Sequence, residues 1–238
     1  MSKTVLLITH EETDASDYGY VASHLTTLGH EVIHHTVLEA TKGKDGFKEA
    51  NIDFPSLDGL DSVIMFGSFT HAYAEQTRDW VEQEIAYVAQ IRDRGMPYLG
   101  ICFGAQILAE VLGGKTVKSD RLEVGMIQFS ADPSCPVAAG PWFSWHNDKV
   151  ELPADVEVLA SSDLAPQVFQ AGNSLGVQFH PEVTDELMDE WLRVGSGELV
   201  GKLNPEEFRR QWRESGQTAQ RHGRELLERF MNVEPVTF

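Results

Sequence analysis

The apolar positions of this chain gather into short unbroken runs through its first hundred residues. Residues 5–9, 62–66 and 97–99 form such runs, the first, third and fourth predicted strands, while the more polar residues 31–37 read as the second. Runs this short, with no polar alternation, predict strands buried on both faces. Between them the spacing lengthens. Residues 18–28 read as a helix closed by Gly29, and residues 79–94 as a helix bringing Trp80, Ile85, Val88 and Ile91 to one side. Strands alternating with helices across glycine turns predict a parallel sheet covered on both faces. Residues 38–55, rich in Lys, Gly and Asp, interrupt the pattern and read as an exposed loop that could close over a site.

Beyond Gly114 the apolar runs change character. Residues 124–129, 156–160, 168–171 and 175–179 predict shorter strands forming a mixed or antiparallel extension of the same sheet. Two helical stretches follow, about 186–194 and 205–231, joined by Gly195-Ser196-Gly197. The second carries charges of both signs at i,i+4 spacing, as a solvated face does. We expect one α/β domain over residues 1–238, with a catalytic core over about 1–185 and a C-terminal helical extension over about 186–238.

Charge narrows the choice of partner. Against 37 Asp and Glu stand 19 Lys and Arg, a formal charge of −18 that repels phosphate backbones and anionic lipid. No nucleic-acid or membrane role is therefore expected. Cys102 and Cys135 lie in unlike contexts, which argues against a disulfide framework and for a reducing compartment. The opening Met1-Ser2-Lys3 leads straight into a strand without the apolar stretch of a signal peptide, and no apolar run approaches the roughly 20 residues of a membrane span. A cytoplasmic protein is the expectation.

Open parallel sheets place their chemistry at the carboxyl ends of the strands. Gly100-Ile101-Cys102-Phe103-Gly104 follows the fourth strand and precedes a helical run ended by Gly113-Gly114. This is the strand–turn–helix setting of a nucleophile elbow, with cysteine in the place of serine. The positive end of the following helix points at the sulfur and favours negative charge there, the form that attacks carbonyl carbon. Cys135 lies between Ser134 and Pro136 with no helix behind it, and reads as an incidental loop cysteine.

Gln178-Phe179-His180-Pro181-Glu182-Val183 closes another strand-like run, so His180 should reach the same edge of the sheet. Residues two apart on an extended segment share a side, which lets Glu182 meet the ring of His180 while Pro181 stiffens the link. A carboxylate on the far nitrogen fixes the tautomer of a catalytic histidine and supports its charged form. Cys102, His180 and Glu182 are the expected catalytic residues. His34-His35 and His71 have no partner at metal-ligand spacing, so neither a metal nor another cofactor is expected.

With these residues in view, the chain resembles the class I glutamine amidotransferases. Leu99-Gly100-Ile101-Cys102-Phe103-Gly104-Ala105-Gln106 and Gly176-Val177-Gln178-Phe179-His180-Pro181-Glu182-Val183 are similar to the two signature blocks of that family. Trp145-His146-Asn147-Asp148-Lys149-Val150 resembles the block between them in the glutaminase domain of GMP synthetase, and the likeness covers about residues 60–185. It implies a flavodoxin-like three-layer sandwich with a mostly parallel central sheet. It also implies an oxyanion hole from the backbone N–H groups of Gly67 and Phe103, and substrate contacts from Gln106, Ser68 and the backbone near His146 and Asn147.

The chain departs from the family where Gly67-Ser68-Phe69 replaces the usual Gly-Gly-Pro. No fused acceptor domain or phosphate-binding loop is read, so the expected partner is a small-molecule γ-glutamyl substrate. Two versions stay open: a glutaminase subunit serving a separate synthetase, and a free-standing hydrolase of γ-glutamyl amides or peptides. Phe69, Phe103, Trp142, Phe143 and Trp145 are candidates to line a site for a bulky leaving group. Related cysteine hydrolases of the intracellular-protease type place histidine directly after the nucleophile, where Phe103 stands here. A non-catalytic scaffold is disfavoured by the retention of Cys102, His180 and Glu182.

Overall fold

The computed structural model describes residues 1–11, 18–38, 50–194 and 204–233. Its first strand, β1 (Thr4–Glu11), carries Val5, Leu6, Leu7 and Ile8 with none of their surface exposed. Alternate side chains of a strand leave opposite faces of the sheet. Val5 and Leu7 accordingly join one core with α1 (Val21–Thr27) and the end of α5 (Pro205–Met231), while Leu6 and Ile8 join another with α2 (Arg78–Asp93) and α3 (Phe103–Val111). A solid apolar run is thus the signature of a strand with two cores to fill, and three layers result.

Around β1 the sheet is parallel. β2 (Glu31–Leu38) and β3 (Ser62–Met65) flank it, β4 (Tyr98–Ile101) lies beside β3, and β10 (Ser174–Val177) beside β4. Antiparallel strands then continue outward through β9 (Pro166–Ala171), β8 (Glu157–Ser161) and the two-residue β6 (Ser130–Ala131). The full order is β2-β1-β3-β4-β10-β9-β8-β6. The mostly parallel sheet with an antiparallel extension follows the sequence pattern.

One part of that extension lies elsewhere. Residues 124–127 belong to β5 (Lys115–Ile127), which pairs only with β7 (Trp142–Glu151) in a separate antiparallel ribbon. Register breaks between Lys118 and Glu123. The ribbon packs Phe143 into a third core made by α4 (Asp185–Val194) and α5, with Leu187, Trp191, Phe208 and Trp212. A half-buried alternating strand carries the same pattern whether it extends a sheet or lies across helices, so the sequence could not separate the two.

Helix α5 begins as its sequence requires: the Asn204 side chain accepts the Glu206 N–H at 3.0 Å, and Pro205 occupies the first turn. Arg210 bridges Glu207 and Glu214 on its exposed face. Within the expected loop 38–55, Leu38 closes β2, residues 50–55 form no regular element, and residues 39–49 lie outside the described residues, as does Gly195-Ser196-Gly197. No helix of the described residues is long and apolar enough to cross a membrane.

Candidate active site

Strands β3, β4 and β10 are neighbours running the same way, so the residues that follow them meet at one edge. These are Gly67, Cys102 and His180. Cys102 links β4 to α3 at φ 50° and ψ −103°, a backbone region costing a non-glycine residue about 1–3 kcal/mol. The turn is held from both sides: the Cys102 N–H donates to Val177 O at 2.8 Å, and Cys102 O accepts from Gln106 N–H at 3.0 Å. Glycines make it possible. A Cβ on Gly100 would meet the Gly104 carbonyl, and one on Gly104 would run into the Met65 carbonyl. This is a tight strand–turn–helix elbow, with its strain located on Cys102.

His180 Nδ1 lies 2.8 Å from Glu182 Oε1, with the side chains 5% and 0% exposed. The other ring nitrogen is not engaged by Glu182, and the Cys102 sulfur is close enough to act on the imidazole electrostatically. Burial opposes charge on this ring, but the Glu182 carboxylate and the Cys102 sulfur outweigh it, and the pKa is pushed up to about 10. At neutral pH an imidazolium therefore faces the sulfur. The ring edge rests on Trp191, centroids 4.7 Å apart, and the His180 N–H donates to Phe143 O at 2.8 Å. Behind it, the buried hydroxyl of Tyr20 donates to Pro181 O at 2.7 Å and steadies the peptide between the two triad residues.

Gly67 faces this pair. A Cβ there would lie 3.1 Å from His180 Cε1 and 3.6 Å from Cys102 Cβ, so only glycine leaves the approach open. The Phe66 carbonyl accepts from Gly104 N–H at 3.2 Å, which turns the Gly67 N–H to the opposite side of that peptide.

A pocket opens over the sulfur, lined by Gly67, Ser68, Gln106, His146 and Asn147 among others. Gln106 is buried, and its Oε1 has no partner among the described residues. The side chain of Ser68 accepts from Thr70 N–H at 3.0 Å. The ring of His146 is committed elsewhere, to the Asp148 carbonyl and to Glu123 Oε2, both at 2.8 Å. Burial works against charge on Glu123, yet His146, Ser162 and Gln167 together hold its carboxyl below the usual range.

Of the five aromatics expected near the pocket, Phe69 and Trp145 line it, whereas Phe103, Trp142 and Phe143 are core residues no more than 1% exposed. Phe103 and Trp142 pack into the two cores flanking the sheet and Phe143 into the core under α4 and α5, which local spacing could not reveal. Tyr18 and Trp191 line the pocket in their stead. Both were missed. So was His71, whose Nδ1 lies 2.6 Å from Asp148 Oδ2 while the Tyr73 hydroxyl donates to the other carboxylate oxygen. Gln178 was also passed over, although its Nε2 donates to Cys102 Sγ at 3.5 Å and its place two residues before His180 was a signal.

Cys135 is half-buried in a loop, its thiol pushed up by burial. Among the described residues no three His, Cys, Asp or Glu side chains gather as a metal site.

Comparison with known proteins agrees with this geometry. Residues 21–193 match the family model for glutamine amidotransferase class-I. The chain is 35% identical over 162 residues to a glutamine-hydrolyzing GMP synthase of Bordetella avium, an alignment covering 60% of this chain and 29% of that protein. It is 31% identical over 180 residues to gamma-glutamyl peptidase 5 of Arabidopsis thaliana, covering 66% of this chain and 70% of that one. A solved glutamine amidotransferase from Thermotoga maritima superposes with a TM-score of 0.81 at 24% identity, over 98% of this chain and 100% of that chain, and shows the shared fold. The chain spans less than a third of the length of the GMP synthases it matches.

Proposed function

Since the chain belongs to the class I glutamine amidotransferase family, we propose that it hydrolyses the γ-amide of glutamine or of a γ-glutamyl amide or peptide through a cysteinyl thioester. One observation carries the reading: a buried His180–Glu182 pair beside a strained Cys102 at the floor of an open pocket. In this scheme the Cys102 thiolate attacks the γ-carbonyl carbon, forming a C–S bond and a tetrahedral oxyanion. The N–H groups of Gly67 and Phe103 receive the oxyanion, an interaction worth about 3–4 kcal/mol of barrier per donor. Charged at rest, His180 passes its proton to the leaving nitrogen as the C–N bond breaks. Neutral His180 then takes a proton from water as the water oxygen adds to the thioester, and collapse releases glutamate and regenerates the thiolate. Glu182 holds the ring in place throughout. Gln106 and Ser68, with the backbone at His146 and Asn147, hold the glutamyl portion.

The pocket favours a free-standing hydrolase of small γ-glutamyl compounds. Ammonia needs no aromatic wall, yet Tyr18, Phe69, Trp145 and Trp191 supply one. Similarity to a gamma-glutamyl peptidase points the same way. The second reading, a glutaminase subunit serving a separate synthetase, is supported by the similarity to GMP synthase. Glutamate release measured with glutamine and with γ-glutamyl-p-nitroanilide decides between them. A kcat/KM at least tenfold higher for the anilide supports the hydrolase, a preference for glutamine supports the subunit, and inertness toward every γ-glutamyl amide sinks both.

A further inference from the structure

A second buried histidine–glutamate pair lies directly beneath the loop that carries Gly67. His10, at the end of β1, and Glu84, in the middle of α2, have side chains 0% exposed, and His10 Nε2 stands 2.9 Å from Glu84 Oε1. His10 Nδ1 lies 2.9 Å from the Gly67 carbonyl oxygen. A carbonyl only accepts, so Nδ1 must carry the hydrogen. With that hydrogen in place, Nε2 meets Glu84 either as the N–H of an imidazolium donating to a carboxylate or as a neutral acceptor from a carboxylic acid.

The loop needs such a restraint. Gly67 has no Cβ, so sterics alone restrict its backbone angles little. Gly104 N–H fixes the peptide before Gly67, at 3.2 Å from Phe66 O, and His10 fixes the peptide after it. A planar peptide whose carbonyl points down toward His10 cannot also point that carbonyl into the pocket, where it would repel an oxyanion. The same imidazole packs edge-on against Phe103, centroids 4.7 Å apart at 69°, and Phe103 carries the other oxyanion donor. Trp80 closes the far side at 6.0 Å. One ring therefore touches both arms of the proposed oxyanion hole while reaching neither substrate nor sulfur.

We propose that His10 is a positioning residue for the oxyanion hole, holding the Gly67–Ser68 peptide with its carbonyl turned away from the pocket and bracing Phe103, and that Glu84 anchors the other nitrogen of its ring. This rests on the thioester mechanism proposed above. The role belongs to Nδ1, which makes it separable from mere filling of a buried site. Asparagine at this position places an amide where Nδ1 stands, and keeps a donor for Gly67 while abandoning Glu84. Glutamine places its amide where Nε2 stands, and keeps a partner for Glu84 while abandoning Gly67.

The two variants, His10→Asn and His10→Gln, are assayed with glutamine and γ-glutamyl-p-nitroanilide, and alkylation of Cys102 by iodoacetamide is timed alongside. Alkylation passes through no oxyanion. For His10→Gln we expect kcat to fall about a hundredfold, because the freed Gly67 carbonyl can turn into the pocket and oppose the oxyanion, an effect on the order of losing one donor, with KM and alkylation within about threefold of wild type. For His10→Asn we expect kcat within about tenfold of wild type. The opposite order, equal kcat in the two variants, or alkylation falling in parallel with kcat would overturn the positioning role. Should His10→Gln not fold, His10→Asn decides alone, because a hundredfold loss there contradicts the assignment. A wild-type protein that turns over normally while His10→Gln matches it sinks this inference only, whereas a wild-type protein inert on both substrates sinks it together with the mechanism.

Discussion

Two buried histidine–glutamate pairs stand at the carboxyl edge of one sheet, nearly alike in separation and burial, and differ in what the second ring nitrogen meets. In the pair His180–Glu182 it meets the sulfur of Cys102; in His10–Glu84 it meets the carbonyl of Gly67. The first partner can exchange a proton and the second cannot. Identical side chains at 2.8 and 2.9 Å are thus proposed to serve proton transfer in one place and backbone orientation in the other. The dyad itself does not define a catalytic group; the atom at its far end does.

The largest expected effects fall on the first pair. Cys102→Ala removes the reacting atom and should lower glutamate release by about 10⁵-fold, to near the uncatalysed rate. Retention of turnover on every γ-glutamyl amide would remove the basis for the contrast. Glu182→Gln should cost kcat about 10³-fold, with KM little changed, because the ring loses its orienting carboxylate and not its place.

Replacing Glu182 should also change how stability varies with pH. The folded pKa of His180, about 10, lies above the unfolded value near 6.5. A raised pKa contributes stability that is fully present below about pH 6.5 and is lost as pH climbs toward 10. The melting temperatures of wild type and Glu182→Gln, followed from pH 6.5 to 10, should therefore converge as pH rises. A gap that widens over this window would contradict the imidazolium assignment.

Sequence distance explains which of the two pairs could be read in advance. His180 and Glu182 are two residues apart in an extended segment, so their meeting follows from strand geometry, and the elbow around Cys102 declares itself through glycines at 100 and 104. His10 and Glu84 are 74 residues apart on a strand and a helix. Their contact depends on how α2 lies across β1, which no local spacing encodes. Glu84 in particular has the helical setting of an ordinary surface glutamate, beside Gln83 and Ile85, yet it is fully buried while Ile85 is only partly so. The layers of the sheet were legible for the same reason as the triad, since solid apolar runs state their own environment. The β5–β7 ribbon was not, because its destination against α4 and α5 is set by distant partners.

A smaller perturbation tests the glycine between the two pairs. Gly67→Ala places a methyl 3.1 Å from His180 Cε1 while leaving the carbonyl bond to His10 possible. The neighbour must give by a few tenths of an ångström, and we expect kcat to fall about tenfold, less than for His10→Gln, which frees the Gly67 carbonyl to turn into the pocket. A larger loss in Gly67→Ala would mean that space beside His180, and not the orientation of the peptide, limits the reaction.

The smallest effect separates the chemistry of the edge from its selectivity. Phe69 lies on the same loop but is 54% exposed and lines the pocket. An aromatic contact of this kind contributes about 0.5–1.5 kcal/mol, or roughly 2- to 10-fold in affinity. In Phe69→Ala, KM for γ-glutamyl-p-nitroanilide should rise by that factor with kcat preserved, while kinetics with glutamine, whose leaving group is ammonia, stay at wild-type values. An equal rise for both substrates would move Phe69 from the leaving group to the glutamyl portion, and would take from the free-standing hydrolase the aromatic wall on which it rests.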